Sequence, residues 1–275
     1  MIMKLTLALL LTSFTCFGNT PSTWTPKYQK LQKKNMDKKV LLKKAEKGPS
    51  VPLNRLEALY LKEVKKKAQL GLLKSETLKL KQEAVPTLLK VMKDNKFPSE
   101  SRWVATYMLG RIMGVKAAPL ISKYTSHPNW MLRLASLKVL LHLGQKKYTG
   151  VYARLLEDKS LIVRHQALQN IKKLKLTSLA PYVWKMLYNK KNYVGLEGSR
   201  KRSNIIKDAI KTVGDLGFSK AKKPMLKMFS KKKYKDVYEE LDYSLSKLSD
   251  KPSPKGSLSV KQIFWKNAAL EEITI

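Results

Sequence analysis

Residues 157–174 read EDKSLIVRHQALQNIKKL, and this stretch decides the fold. An acid and a Ser precede the pair Val163-Arg164, and apolar residues then continue at helical spacing. That spacing places the apolar residues on one face of a helix. The residues of this face are predicted to enter a core: Val163, Ala167, Leu168, Ile171 and Leu174.

The same pattern recurs along the chain at a regular step. Arg133 and Arg102 occupy the position of Arg164 at steps of 31 residues. Two later units keep only part of the pattern, with Ile206 and Tyr238 at that position. Self-similarity at a period of a few tens of residues is typical of a stacked repeat array.

An apolar helical run precedes each motif, and most of these runs carry a proline near their start: Pro86, Pro119, Pro181 and Pro224. Proline suits the first helical turn, because its missing N–H has no partner there in any case. Each unit is therefore predicted to be a helix, a turn and a second helix. Ser99, Asn129 and Ser160 are candidate N-caps of the second helices.

The chain resembles HEAT-repeat proteins with short repeats, similar to the HEAT-like repeats of phycobilin lyases. In the third unit Asp158, Val163, Arg164 and Ala167 match the D…VRxxA pattern of that family. The resemblance implies an all-α fold, a right-handed α-α superhelical solenoid of about five helix pairs. It also implies that Asp and Arg pair between neighbouring repeats and that second helices line a concave side. Independently of the resemblance, Arg164 is predicted to have a structural role, bonding a carboxylate or helix-end carbonyls, with direct contact to a ligand as the alternative.

Composition divides the chain into five predicted segments. They are a signal peptide (1–18), a basic arm that is expected to be disordered (19–50), an N-terminal helical cap (51–81), the repeat array (82–249), and a linker with a C-terminal helix (250–275). The cap is predicted to hold one amphipathic helix over 51–70, capped by Asn54, and a second stretch at 72–80. The C-terminal helix is predicted to begin at an N-cap Ser259 and to fold back on the array. Docking of Phe264 and Trp265 on a partner is the alternative.

The first residues indicate export. Lys4 precedes an apolar run over 5–14 that is too short to cross a bilayer, and the small residue Gly18 marks a cleavage site. A periplasmic or secreted protein is therefore predicted. A lipoprotein acylated at Cys16 and a buried first helix remain alternatives. Because Cys16 is the only cysteine, its removal with the signal peptide leaves no thiol for a disulfide or a metal site.

The net charge of +36 predicts a positive field that attracts polyanions. The predicted partner is an acidic protein, with an anionic envelope polymer or lipid headgroups also possible. A basic composition without any specific partner remains the other interpretation. Nucleic acid is the alternative partner, and such binding is expected to be non-specific because Lys greatly outnumbers Arg.

Two sets of residues are predicted to contact the partner. About eleven residues are inserted between the third and fourth units, and insertions in solenoids often lie on the binding face. The basic residues and the tyrosine of this insertion are Lys190, Lys191, Tyr193, Arg200, Lys201 and Arg202. A second set lies off the apolar faces of the second helices: Lys138, Lys172, Lys173, Lys207 and Lys211. A tolerated surface insertion without a function is the alternative for the loop.

No catalytic motif is found in the sequence. His127, His142 and His165 have no paired acid at metal-binding spacing, and no nucleotide-binding glycine loop or nucleophile elbow is present. No catalytic residue, metal or cofactor is therefore predicted, although an enzyme with an unrecognised site remains an alternative. Trp103, Trp130 and Trp184 are predicted to pack between helices.

Overall fold

The computed structural model describes residues 50–62, 64, 67–193, 203–249 and 252–271. Every regular element in these ranges is a helix, so the all-α prediction is confirmed. The helices are α1 Ser50–Leu61, α2 Lys67–Leu80, α3 Val85–Lys93, α4 Ser99–Met113, α5 Ala118–Tyr124, α6 Trp130–His142, α7 Thr149–Leu155, α8 Leu161–Leu174, α9 Ala180–Lys185, α10 Asn204–Asp215, α11 Lys222–Phe229, α12 Tyr238–Leu248 and α13 Leu258–Glu271. The predicted signal peptide and nearly all of the basic arm lie outside the described residues.

Helices α3 to α12 form consecutive pairs, each with a first helix and a second helix. The two helices of a pair contact each other, from α3 with α4 to α11 with α12. The second helices also contact one another in chain order, α4 with α6, then α8, α10 and α12. Pro86, Pro119 and Pro181 lie in the first turns of α3, α5 and α9, as predicted.

The capping of the second helices follows the sequence only in part. Asn129 caps α6, and its side chain accepts from the main-chain N–H two positions further on. Ser160 holds the N-cap position of α8 without a side-chain cap bond, and Asp158 Oδ1 instead accepts from the Ser160 N–H at 2.8 Å. The prediction for Ser99 is wrong, because Pro98 is the N-cap residue of α4. The Ser99 hydroxyl accepts from the Asn129 side-chain amide, 2.8 Å away.

The second helices approach one another closely at two glycines. A Cβ on Gly110 would lie 2.3 Å from Val139 Cγ1, and one on Gly214 would lie 2.7 Å from the Cα atom of Ser244. The apolar face predicted for α8 is buried throughout: Val163, Ala167, Leu168, Ile171 and Leu174. Small residues and interdigitated aliphatic side chains therefore build one core along the row of second helices.

Two contacts between second helices have the same register. Asn170 donates from its side-chain amide to the main-chain oxygen of Leu137 at 2.8 Å. The Ser244 hydroxyl donates to the main-chain oxygen of Ile210, also at 2.8 Å. In both contacts the donor lies six residues after the motif position and the acceptor four residues after it in the preceding unit. These two junctions between units therefore use the same register.

Arg133 joins the second unit to the third. Its Nε and Nη2 donate to Oδ2 and Oδ1 of Asp158, each at 2.7 Å. Its Nη1 donates to the main-chain oxygens of His127 and Pro128 in its own turn, at 2.8 and 2.7 Å. Pairing of Asp and Arg between neighbouring units, which the resemblance implied, is confirmed at this position.

Arg164 repeats this arrangement one unit later with different acceptors. Its Nη1 donates to the main-chain oxygens of Asp158 and Lys159, at 2.8 and 3.1 Å. Across the junction, Nε donates to Asn192 Oδ1 at 2.7 Å and Nη2 to the Lys191 oxygen at 2.8 Å. The predicted structural role of Arg164 is confirmed, because this buried guanidinium is bonded on both sides.

Arg102 and Tyr238 show how the position varies in other units. Arg102 donates from Nε and Nη2 to the Met92 oxygen at 3.1 and 3.0 Å, and its Nη2 lies 3.2 Å from His127 Nε2. His127 thus takes the place that Asp158 has one unit later. Tyr238 keeps the bond to its own turn, because its hydroxyl donates to the Lys231 oxygen at 3.1 Å.

The N-terminal helices differ from the prediction of one helix over 51–70. Helix α1 ends at Leu61 and α2 begins at Lys67, so Asn54 lies inside α1 rather than at its start. The break allows α2 to return against α1, where the buried Tyr60 hydroxyl lies 2.9 Å from Thr77 Oγ1. Burial raises the pKa of Tyr60 well above its usual value.

The last helix packs against the final pair. Helix α13 contacts α11 and α12, and the completely buried Trp265 donates from Nε1 to Asp242 Oδ1 at 2.8 Å. A buried indole is not available to a partner, so the alternative of Trp265 docking elsewhere does not fit. The predicted N-cap is also wrong, because Ser259 lies within α13, which begins at Leu258.

Candidate partner-binding surface

The lysines predicted on the second helices divide into two groups. Lys138 on α6 and Lys173 on α8 are exposed, and neither forms an ion pair with a described residue. The remaining three, Lys172, Lys207 and Lys211, lie beside carboxylates of the next second helix. We call the outward side of α6, α8 and α10 that carries these lysines, together with the adjoining side of α12, the second-helix surface.

Asp215 forms ion pairs with two lysines from neighbouring helices. Lys172 Nζ on α8 and Lys247 Nζ on α12 each lie 3.3 Å from its carboxylate. The Tyr243 hydroxyl also donates to Asp215 Oδ1 at 2.6 Å. Burial alone would raise the pKa of Asp215, but the bonds from Tyr243 and the lysines outweigh it and lower that pKa. Lys172 is thus part of an interhelical ion-pair chain.

Glu240 forms ion pairs with Lys207 and Lys211. The Nζ atoms of Lys207 and Lys211 lie 3.9 and 3.8 Å from Glu240 Oε1, which is largely buried. At the preceding junction His165 Nε2 lies 2.8 Å from Asp208 Oδ2 in the same register. The second-helix surface therefore alternates cations with carboxylates over α8, α10 and α12. Asp208 and Glu240 each lie two residues after the motif position of their unit, but their cationic partners belong to the preceding unit, so the sequence pattern alone does not pair them.

The described part of the insertion is anchored at both ends. Asn192 is buried, donates from Nδ2 to the Met186 oxygen at 2.9 Å, and accepts from Arg164. Its main-chain oxygen accepts from the Ser203 hydroxyl at 2.8 Å, which brings the two ends together. Asn192 was missed because its sequence position lies beyond the regular repeat.

The predicted contact residues of the insertion have different environments. The side chains of Lys190 and Lys191 are exposed. Tyr193 is half-buried, and its hydroxyl donates to the Leu187 oxygen at 2.7 Å. Arg200, Lys201 and Arg202 lie outside the described residues. Their role in binding stays a prediction, as does that of the two lysines.

Two of the three tryptophans confirm the packing prediction, because Trp103 and Trp184 are half-buried and pack against the core. Trp103 also stacks on Tyr107 with ring centroids 6.2 Å apart, and Trp184 meets Tyr188 edge-on at 6.1 Å. Trp130 does not fit the prediction, because it is the first residue of α6 and 41% of its surface is exposed.

His127 and His165 are both hydrogen-bonded within the protein, whereas His142 is exposed. His127 Nδ1 accepts from the Asn129 N–H at 3.0 Å, while its Nε2 faces Arg102. Within the described ranges no three His, Cys, Asp or Glu residues lie close enough together to hold a metal ion. None of the helices described above is both long and apolar enough to cross a membrane.

Comparison with known proteins gives no assignment for the chain: no protein-family model and no curated protein matches it. The motif, the contacts between units and the distribution of charge are therefore the basis for any statement about function.

Proposed function

We propose that the protein is a non-enzymatic interaction scaffold of the HEAT-repeat type. In this proposal its helix pairs form a right-handed α-α superhelical solenoid that presents an extended surface to an acidic protein. The protein acts after export, in the periplasm or outside the cell. Nucleic acid is the alternative partner.

The observation that carries the proposal is the ordered contact of one second helix with the next, from α4 to α12. Elements that contact only their neighbours produce long surfaces rather than enclosed pockets, and such surfaces are commonly used for binding. The exposed Lys138, Lys173, Lys190 and Lys191 supply positive charge on or beside this surface. A net charge of +36 would favour association with an acidic partner and oppose self-association.

Affinity capture from fractionated cells tests this proposal. The exported, processed protein is used as bait at about 0.15 M salt, where exposed charges are screened beyond roughly 8 Å. A scaffold is expected to retain a discrete acidic protein from the envelope fraction. Intact-mass analysis of the native protein establishes at the same time whether its first residue lies near Asn19, as expected for an exported form.

A charge-reversal variant provides the specificity control. Changing Lys190, Lys191, Arg200, Lys201 and Arg202 to Glu is expected to weaken capture without changing the melting temperature. Unchanged capture would remove the insertion from the proposal. Recovery of nucleic acid alone, with an affinity that falls steeply as salt rises, together with an unprocessed cytoplasmic form, would replace the scaffold by the alternative.

A further inference from the structure

An open groove of about 450 Å³ lies between α11 and α13 at the C-terminal end of the array. Leu226, Ala269 and Leu270 form its apolar part, and four lysines surround them: Lys223, Lys227, Lys231 and Lys266. We call this set of residues the terminal groove. None of its lining residues is an Asp or a Glu, so it differs in charge from the second-helix surface.

The lysines of the terminal groove have no ion-pair partner among the described residues. On the second-helix surface, by contrast, Lys172 and Lys247 share Asp215, and Lys207 and Lys211 share Glu240. Lys223 and Lys227 lie four residues apart on α11, an arrangement in which like charges repel on a helix, and Lys231 follows just after this helix ends. A bound anion would remove this repulsion.

An exposed apolar stripe continues from the terminal groove along α13. Val260, Ile263 and Leu270 are 45%, 61% and 65% exposed. Ile263 and Leu270 are seven residues apart, so they lie on the same face of the helix, and Val260 lies one turn before Ile263. A terminal element of a repeat array is expected to be polar on its outer side. An apolar stripe at this position is instead typical of a surface that another element covers.

We propose that the terminal groove binds an amphipathic helix of a partner protein, with apolar residues on one face and flanking carboxylates. The proposal rests on the scaffold function and names a site for it. Apolar residues of the partner helix would cover Ile263 and Leu270 and enter the groove, in the manner of other helix-in-groove complexes. Its carboxylates would meet Lys223, Lys227 and Lys266. A lysine ammonium can bind a carboxylate from several directions, so these lysines are compatible with several arrangements of carboxylates on the partner helix.

Two features favour such a helix over other occupants. A second copy of this chain would bring its own strong positive charge against the same lysines. A polyanion without apolar groups would pair with the lysines but leave Ile263 and Leu270 in water. A helix with both properties covers the apolar stripe and neutralises the lysines together.

Fluorescence anisotropy with a designed peptide tests the proposal. The probe is a fluorescein-labelled helical peptide with Leu at the a and d positions of each heptad and Glu elsewhere. A second probe replaces its Leu by Ser, and a third replaces its Glu by Gln. The full-length protein is expected to bind the first probe at least about tenfold more tightly than either of the others. Equal binding of the Ser probe would mean that charge alone is recognised, and would overturn the proposal.

Variants locate the binding site. Leu270→Glu, at an exposed position, and the double variant Lys227→Glu with Lys266→Glu are each expected to weaken binding about tenfold or more. The double variant Lys116→Glu with Lys146→Glu changes two exposed lysines outside the groove and makes the same change in net charge as the Lys227/Lys266 variant, and its affinity is expected to change less than about twofold. The melting temperature must be unchanged in all three proteins, which shows that none of the variants disturbs the fold.

The outcomes of these experiments distinguish failure of the groove proposal from failure of the scaffold proposal. Failure of the designed peptide to bind, or an equal loss of affinity in the Lys116/Lys146 variant, would overturn the groove proposal. Capture of an envelope protein from cells would then still support the scaffold function. Binding of dodecanoate with higher affinity than the peptide would assign the groove to a lipid instead. A dimer in sedimentation that Leu270→Glu dissociates would assign it to a second copy. Loss of all capture from the envelope, with peptide binding retained, would overturn the scaffold alone.

Discussion

Arg133 and Asp158 form a two-pronged ion pair, with both N–O distances at 2.7 Å, across the junction of the second and third helix pairs. Both side chains are largely buried, at 12% and 6% exposed. Asp158 also accepts from the Ser160 N–H at the start of α8. The Asp158 carboxylate therefore holds the second unit against the third and also orders the start of α8.

Asp158→Ala is expected to lower the free energy of unfolding by about 3 kcal/mol, since it leaves a buried guanidinium without its partner. Urea denaturation of the two proteins measures the difference. Glu57→Ala, which removes the exposed ion pair with Lys90, is the control and is expected to cost under about 1 kcal/mol. A double-mutant cycle with Arg133→Gln isolates the pair, and an interaction energy near zero would contradict this account.

The close approach of α10 to α12 gives a second prediction. Gly214→Ala places a Cβ atom 2.7 Å from the Ser244 Cα atom, and backbone cannot rotate away as a side chain can. We expect a loss of about 2 kcal/mol or more from overpacking. Gly71→Ala in α2 meets nothing within 4 Å and is expected to gain about 0.5–1 kcal/mol from helix propensity. Equal shifts in the urea midpoints of both variants would show that steric contact is not the cause.

The repeated motif predicted the helix pairs because each unit needs the same small and apolar residues at the same contacts. The residue types at 164 and 167 are set by contacts with the adjacent helix or unit, which recur in every unit. A pattern repeated in the sequence therefore reveals them. The charge on the second-helix surface could not be predicted in this way, because Lys207 and Glu240 belong to different units and meet only after stacking. The same applies to the break after Leu61, where the partner of Tyr60 lies in the following helix.

Asn192 gives a third prediction, which concerns the insertion. Asn192→Ala removes an acceptor of the Arg164 guanidinium and a donor to the Met186 oxygen. A buried group left unsatisfied costs about 1–3 kcal/mol, and we expect a loss in that range by urea denaturation. Amide hydrogen exchange at Lys191 and Tyr193 should accelerate as well, because the junction with Ser203 loosens. Ser203→Ala removes one bond only and serves as the milder control. Unchanged exchange in Asn192→Ala would mean that this residue does not anchor the insertion.

The contact of His127 with Arg102 predicts how stability depends on pH. Burial and the neighbouring Arg102 guanidinium lower the pKa of His127 from its ordinary value of 6.5. Below pH 6.5 the unfolded chain therefore binds a proton at His127 more readily than the folded chain does, so the free energy of unfolding falls as pH decreases.

Three aspartates affect stability at a lower pH than His127 does. The pKa values of Asp158, Asp215 and Asp242 are held below 3.8 in the folded protein, so their contribution is lost only as pH falls below that value.

Urea denaturation at about pH 7.5 and about pH 5 measures the contribution of His127 to the pH dependence of the free energy of unfolding. In His127→Gln the side chain no longer titrates, and the decrease in stability between these two pH values is expected to be smaller than in the natural protein. His142→Gln is the matched control, because His142 is exposed, and its profile is expected to follow that of the unchanged protein. An identical pH dependence in His127→Gln and the unchanged protein would show that the contact between His127 and Arg102 does not control stability in this window.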